Sequence, residues 1–432
     1  MEKMKCFKYL QILFLVSLVS CESNTNASNE EPLVLTDEVE VYVADKIDNS
    51  LVFAIYNGGT EAKLLDKKGN ELYEWVLDDN LGNDLELLPD GRLLGMFKAD
   101  IPQITFGGFG GKIKIVNIDG TIDWEFEYSS SDYIAHHDVE MLPNGNVLFI
   151  VWERVAASEA QALGINVITD LYTEALIEVN PSTNQIEWEW HSIDHLVQDV
   201  DPNLPNYGQI DENPQLIDHS YVFNNNDLVG DDGDIMHANG IDYDAVKDVI
   251  YLSVNFYGEV WVIDHSTTKA EAASHAGGNY GKGGDLIYRF GNPGAYNNTQ
   301  GDRMFYKVHF PNLLEGNEPG SGNVLVFMNG TNANQSTVYE LKMPSNFNLQ
   351  TNQNNEPEVV WSFTDPDMYV AIISGAVRLD NGNTLICEGD FGFWEVTPQN
   401  EVVWKYNGGG EQKYWRAYNY SFGDSAITSL GL

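Results

Sequence analysis

From residue 38 onward, short apolar or β-branched runs alternate with turns rich in Gly, Asn, Asp and Pro, and no long stretch keeps the 3.6-residue period of an amphipathic helix. This patterning predicts an all-β protein. One strand-like segment recurs six times, an alternating run ending on an aromatic residue: Leu72 to Trp75, Ile122 to Phe126, Ile186 to Trp190, Leu286 to Phe290, Val359 to Phe363 and Val402 to Tyr406. Each copy follows another strand and turn, as in Lys112 to Gly120 and Ala175 to Asn184. Before these come inner strands, several led by tight turns: Asp90-Gly91 before Leu93, Asn144-Gly145 before Val147, and Asn381-Gly382 before Thr384. Asn-Gly and Asp-Gly supply the positive φ that such hairpins need.

A three-strand unit of this kind cannot cover both of its faces, whereas radial stacking of six units covers them all. The expected architecture is therefore a six-bladed β-propeller spanning residues 38–432, its recurrent aromatics packing between blades. Extended sequence from Glu38 to Ala44 is expected to pair with the last blade and close the ring.

The N-terminus reads differently. Lys3, Lys5 and Lys8 precede an apolar run from Tyr9 to Val19, too short to span a bilayer but suited to the core of a signal peptide. Leu18-Val19-Ser20-Cys21 resembles the lipobox of bacterial lipoproteins. That resemblance implies a signal peptide over residues 1–20, lipid attachment at Cys21, a polar tether over 21–37, and a protein exported and anchored in a bacterial envelope, periplasmic or at the cell surface. Cys387 is then the single cysteine of the mature core, so no intramolecular disulfide can form.

Charge narrows the partners. The chain carries 23 Lys+Arg against 65 Asp+Glu, a net charge of -42. Such an excess opposes binding to nucleic acid or to an anionic bilayer face, leaving the lipid anchor as the expected membrane contact. An anionic substrate would need a locally positive pocket.

In a propeller, residues just before the inner strands of different blades converge near one axis. Ten residues before Leu93, Val147 and Thr384 lie Asn83, His137 and Ser374, and the longer turns of the next two blades place His237 and His309 comparably. Three imidazoles can ligate a metal or serve as nucleophile and acid-base groups. Asn239, two residues after His237, adds an amide donor suited to an oxyanion and poor for a transition metal. His191, His195, His219, His265 and His275 fall in insertions or outer turns and read as structural.

Three segments carry a more specific likeness: His136-His137-Asp138 before Leu142 to Asn146, His237 to Asp244 with its His-x-Asn core, and His309 followed by Gly322 to Gly330. Together they resemble the bacterial arylsulfotransferases, over about Gly82 to Asn407. The resemblance implies a propeller enzyme that needs no cofactor or metal and moves a sulfuryl group from a phenolic sulfate donor to a phenol acceptor without a nucleotide sulfate donor. It makes His309 the transiently sulfated nucleophile, His237 and Asn239 holders of the sulfuryl oxygens that also aid proton transfer, and the His136-His137 pair the source of a pocket histidine, with His137 favoured.

One departure stands out. Where the family carries an arginine, this chain has Asn255, which can donate hydrogen bonds but cannot neutralise a sulfate. Arg303, Lys307 and Arg378 are the cations available to compensate, and Asn329 stands in an altered form of the motif after the nucleophile blade. With the arginine missing, a second reading is a catalytically impaired propeller lipoprotein that binds a phenolic or glycan ligand. A third is a metal-dependent hydrolase or lyase using the same histidines. Residues 192–233, rich in Asp, Asn and Pro, read as an insertion that rims the channel and selects substrates.

Overall fold

The computed structural model describes residues 33–225, 232–411 and 413–432. The signal-like run, Cys21 and the tether up to residue 32 lie outside the described residues. The folded unit runs from Leu35 to Leu432.

It is all-β, with a propeller-like arrangement of antiparallel sheets. Three sheets have four strands. One runs Tyr414–Tyr420, Leu51–Tyr56, Glu61–Leu65, Glu71–Val76; another Ala238–Asp244, Val249–Val254, Glu259–Asp264, Tyr288–Phe290; the third Val308–Leu313, Asn323–Met328, Thr337–Lys342, Glu358–Phe363. A five-stranded sheet runs from Gly375–Arg378 through Thr384–Glu388, Gly392–Val396 and Val402–Asn407 to Val39–Tyr42. An eight-stranded sheet consists of two antiparallel meanders, Leu81–Glu127 and Tyr133–His191, joined by one parallel bridge between Asn83 and His137.

Every recurrent aromatic segment is the fourth, outward strand of its meander. The three-strand unit expected from patterning is corrected by one: outside the first sheet, the residues leading into each hairpin form a strand of their own. Patterning misses it because polar residues and bulges interrupt the alternation there. Val39–Tyr42 pairs with the last outer strand, Tyr42 opposite Trp404, as the sequence predicts. A second closure is not visible in the sequence: Tyr414–Tyr420 returns to pair with Leu51–Tyr56.

Neighbouring sheets share apolar clusters. Leu94 and Met96 meet Phe149 and Ile177; Leu148 and Trp188 meet Ile241 and Trp261; Tyr251 and Val262 meet Val324 and Val326; Val52 and Ala54 meet Leu385 and Trp404. Each large side chain so buried contributes roughly 1.5–3 kcal/mol.

The inner strands are edge strands, whose backbone N–H groups would otherwise lack partners. Carboxylates from the preceding sheet cap them. Glu86 accepts from Met141 N–H at 3.0 Å, Asp138 from Ile241 N–H at 2.8 Å and Asp242 from Leu313 N–H at 2.6 Å. These acids, with Asp84 and Glu140, line a cavity of about 260 Å³. Burial pushes the Glu86 carboxyl from 4.5 up to about 7, with Asp138 adding to the effect and the Met141 N–H opposing it. Because the folded value lies above the unfolded one, Glu86 favours the fold below about pH 4.5, and that contribution is lost as the pH rises through 7. Glu86→Gln keeps an acceptor for Met141, so it should stabilise the protein at pH 8 by about 2 kcal/mol and leave it nearly unchanged at pH 4. Thermal melts of both proteins at the two pH values measure this.

Candidate active site

The inner strands share a local device at the positions that matter. The register slips between Leu81 and Leu85, opposite His137 and Asp138, at Asn239, and between His309 and Pro311. Bulges at a sheet edge re-aim side chains, and Pro311 is tolerated because an edge strand need not donate there. The backbone is also left-handed at Asn83 (φ 115°), His137 (57°), His237 (52°), Lys307 (60°), Phe310 (49°), Ile373 (60°) and Ser374 (88°). Non-glycine residues adopt this region at a cost, and such strain concentrates at functional sites. Gly108 shows how tight the packing is: at φ 86°, a Cβ there would lie 2.2 Å from His137 Nε2.

The fold brings the His136-His137 pair and His237 into contact. The His137 and His237 rings are 4.9 Å apart and nearly perpendicular. Trp415 lies beside both His137 and His309, at 5.7 and 6.2 Å, and joins the nucleophile candidate to the cluster. His137 and His309 are each 3% exposed. His237 is more open, its side chain 21% exposed, and it stacks on Phe256.

Hydrogen bonds decide which nitrogen of each ring is free. Asn329 Nδ2 donates to the carbonyls of Val370 and Ile373, at 3.1 and 3.0 Å, so Oδ1 is the atom 2.6 Å from His309 Nδ1. His309 must therefore carry its proton on Nδ1. Its Nε2 holds a lone pair, which accepts from Ile373 N–H at 3.2 Å. Burial pushes the His309 pKa down to about 3, against the raising effect of Asn329, so the ring is neutral at ordinary pH.

A chain of contacts runs through the other pair. Glu174 Oε1 accepts from Ala238 N–H at 2.8 Å, Oε2 lies 2.9 Å from His136 Nε2, and His136 Nδ1 lies 2.8 Å from His137 Nδ1. Burial raises the Glu174 carboxyl well above its ordinary range, with Asp234 adding to this, and burial lowers both histidines well below theirs. A neutral carboxylic acid and two neutral rings place the protons on Glu174, on His136 Nδ1 and on His137 Nε2. His136 is clamped in this line, stacked on Trp152 with 3.6 Å between centroids. His237 is fixed by Asp234, whose Oδ2 lies 2.5 Å from Nδ1 and whose Oδ1 accepts its backbone N–H.

The two asparagines near His237 serve the backbone. Asn239 and Asn255 both donate from Nδ2 to the carbonyl of Val308, the residue before His309, at 2.8 and 3.3 Å. Asn239 Oδ1 also accepts from Ser253 Oγ at 2.6 Å. They tie the strand of His237 to that of His309, so the amide of Asn239, expected to hold a sulfuryl oxygen, is engaged inside the protein. Asn329, in the altered motif after the nucleophile blade, contacts His309 Nδ1 through its Oδ1.

The cations also sort themselves. Arg378 departs from its expected place among the substrate-binding groups: its guanidinium pairs with Glu340 at 2.5 Å and donates to the Gly382 carbonyl. Arg303 donates to Phe305 O and lies over Tyr306. Lys307, two residues before His309, forms no side-chain hydrogen bond or ion pair among the described residues. Its burial lowers its pKa, and its charge acts on His309. Sequence reasoning missed Arg416, 1% exposed, which pairs with Asp138 at 3.1 Å and Asp84 at 3.3 Å and lies 3.9 Å from the Phe310 ring. It also missed Asp234 and Glu174. The Asp-x-x-His spacing of Asp234 and His237 is a readable signal; Glu174 has none, since it arrives from another strand.

Half-buried aromatics gather on the open side. Phe106 packs edge-on against Trp152 and Tyr172, and Trp152 lies 5.7 Å from His237. A separate cavity is walled by Asp84, Glu86, Asp138, Glu140 and Asp242.

Comparison with known proteins bears on this site. The family model described as arylsulfotransferase (ASST) matches residues 36–416. No curated protein shows significant similarity to the chain. Among solved structures, a Bacteroides fragilis protein described as a 6-phosphogluconolactonase is similar at 12% identity and a TM-score of 0.42, covering 87% of this chain and 99% of that one. The β-propeller domain of Myceliophteria thermophila Cps50 (Swd1) is similar at 9% identity and a TM-score of 0.40, covering 90% and 97%.

Proposed function

Because the chain belongs to the arylsulfotransferase family, and so to sulfotransferases of phenolic substrates, we propose that it passes a sulfuryl group from a phenolic sulfate ester to a phenol through a sulfated His309. The observation that carries this reading is the Asn329 amide, which leaves a lone pair on Nε2 of a buried, neutral His309. The proposal includes a propeller of six blades. Counting the two meanders of the eight-stranded sheet separately supports six, each sharing an apolar cluster with the next. The lipobox-like Leu18 to Cys21 supports export and a lipid on Cys21.

In the first half-reaction His309 Nε2 attacks sulfur as the S–O bond to the aryl group breaks. The aryloxide leaves with the proton of His137 Nε2, and Glu174 refills that ring through His136. The Ile373 N–H, released from Nε2, is placed to donate to a sulfuryl oxygen, and the Lys307 ammonium offsets the charge of the transferring group. In the second half the acceptor phenol returns a proton to His137, attacks sulfur and frees His309. Phe106, Tyr172 and Phe256 offer faces for the aryl rings. Transfer by two successive displacements at one nucleophile is ping-pong.

A chromogenic phenyl sulfate assayed with and without an acceptor phenol tests the reading. Acceptor-dependent phenolate release supports transfer; a silent protein that still binds the phenyl sulfate would leave the binding module of the second reading.

The buried site also sets a pH profile. His309 loses its lone pair to a proton only as the pH falls towards about 3, so single-turnover phenolate release should show no acid limb from this ring between pH 5 and 8. Lys307 is lowered by burial, so release should decline on the alkaline side below the ordinary lysine range of about 10.4. Stopped-flow release from pH 5 to 10 measures both; an acid limb near 6.5 would contradict a neutral, buried nucleophile.

A further inference from the structure

Away from the channel, His195, His275 and Asp285 bring three ligand atoms within 4.8 Å of one another. His195 ends the turn Ser192–His195 that opens the long insertion after the second meander of the eight-stranded sheet. His275 and Asp285 lie in the loop between Glu259–Asp264 and Tyr288–Phe290 of the next sheet. The cluster thus joins two insertions that the chain order separates.

One ligand of the three is fixed in advance. His195 is fully buried, stacks parallel to Trp190 at 5.8 Å, and its Nε2 lies 2.8 Å from the Ala272 carbonyl. A carbonyl only accepts, so Nε2 carries the proton and Nδ1 presents a lone pair. Trp190 Nε1 donates to Gly284 O at 2.7 Å and draws that backbone over the ring, where a Cβ on residue 284 would lie 2.5 Å from His195 Nε2.

That lone pair faces another acceptor. Asp285 Oδ1 is 2.9 Å from His195 Nδ1 and 2.7 Å from His275 Nδ1. An imidazole lone pair and a carboxylate oxygen at this distance repel unless a cation lies between them, either an added proton or a metal ion. A ring nitrogen whose opposite N–H is tied to a backbone carbonyl is the usual setting of a metal-bound histidine. His275 supplies mobility, its side chain being 63% exposed, and it lines a cavity of about 320 Å³ with Asp194, Tyr207 and Asn213.

We propose that His195 Nδ1, His275 Nδ1 and Asp285 Oδ1 form a binding site for a divalent transition cation of the zinc class, with a water molecule as fourth ligand on the cavity side. Two imidazoles and one carboxylate are a donor set that Zn²⁺ accepts at about 2.0–2.2 Å in tetrahedral geometry. Donors at those lengths stand roughly 3.3 Å apart, so the Asp285 carboxylate and the exposed His275 ring must each shift by a few tenths of an ångström to lengthen both contacts. The ion would pin the start of the insertion to the neighbouring sheet. The proposal is independent of the transfer reaction and of His309.

The test is calorimetric titration of the chelator-treated full chain with ZnCl2, alongside His275→Gln and Asp285→Asn. The expected result is one saturable equivalent for the unaltered protein, weakened at least about tenfold in His275→Gln, with the smallest retained affinity in Asp285→Asn. His275 is exposed, so its variant is expected to keep the far-ultraviolet circular dichroism of the parent. A parent protein with no saturable zinc binding would overturn the proposal. So would an isotherm unchanged by His275→Gln, which would place the metal on other residues. In that case His137→Gln would report whether the channel histidines hold it.

Discussion

His309→Ala should reduce acceptor-dependent phenolate release by at least about 10³-fold while leaving the fold intact. In the proposed transfer the loss is large because the ring is the group that would bond to sulfur, with Asn329 and Ile373 serving to orient it. Removing it leaves the site able to bind the ester but without an acceptor for the sulfuryl group. Intact mass measurement after brief donor treatment should show an added sulfuryl group in the parent and none in the variant, and peptide mapping should place it on His309. Substantial turnover by His309→Ala would assign the nucleophile elsewhere, with His137 and His237 the nearest alternatives. Asn329→Leu refines the test, because it keeps the ring and removes the partner that fixes its proton. Adduct formation should then slow while donor binding is retained.

Lys307→Met should lower kcat/KM for the donor by about 100-fold, the equivalent of about 3 kcal/mol of transition-state charge stabilisation. With Asn255 where the resemblance leads one to expect an arginine, a sulfate bound as proposed would lack that fixed charge. Arg378 is committed to Glu340, and Arg416 to Asp84 and Asp138, whereas Lys307 stands beside His309 with no carboxylate partner among the described residues. The charge is partly desolvated, which strengthens its action on an anion. Lys307→Arg should recover much of the loss, and Arg303→Met should change little. Initial rates over a range of donor concentrations distinguish these outcomes. If Lys307→Met matches the parent, the sulfate is neutralised by some other group or by the backbone N–H groups alone.

The histidines were legible as a set because each stands at the entry to an inner hairpin, His137 at the spacing shared with Asn83 and Ser374 and the other two before longer turns. The resemblance named a role for each ring, but which of its nitrogens is free was not legible. The free nitrogen of His309 is set because Asn329, just past the next strand of its own sheet, turns its amide towards the carbonyls of Val370 and Ile373 in the loop before Gly375–Arg378. His137 reads as an acid because Glu174 reaches it through His136 from two strands away. Asn239 and Asn255 looked like ligand-binding amides in a linear motif, yet both are spent on the Val308 carbonyl. Arg378 looked like a free cation for the same reason: Glu340, on another sheet, is invisible to a reading along the chain. The insertion over 192–233 offered no periodic pattern, and its His195 gains meaning only beside His275 and Asp285.

Local sequence by itself determined the strands, turns and outer aromatic edges, because alternation and Asn-Gly or Asp-Gly turns act over a few residues. It also determined the first ring closure and the chemical types available at the centre. Tertiary structure alone decided the inner strands, the return of Tyr414–Tyr420 to the first sheet, the placement of protons and the pairing of charges. Each of those depends on a hydrogen bond or an ion pair between residues tens to hundreds of positions apart, and such contacts exist only once the sheets have been brought face to face.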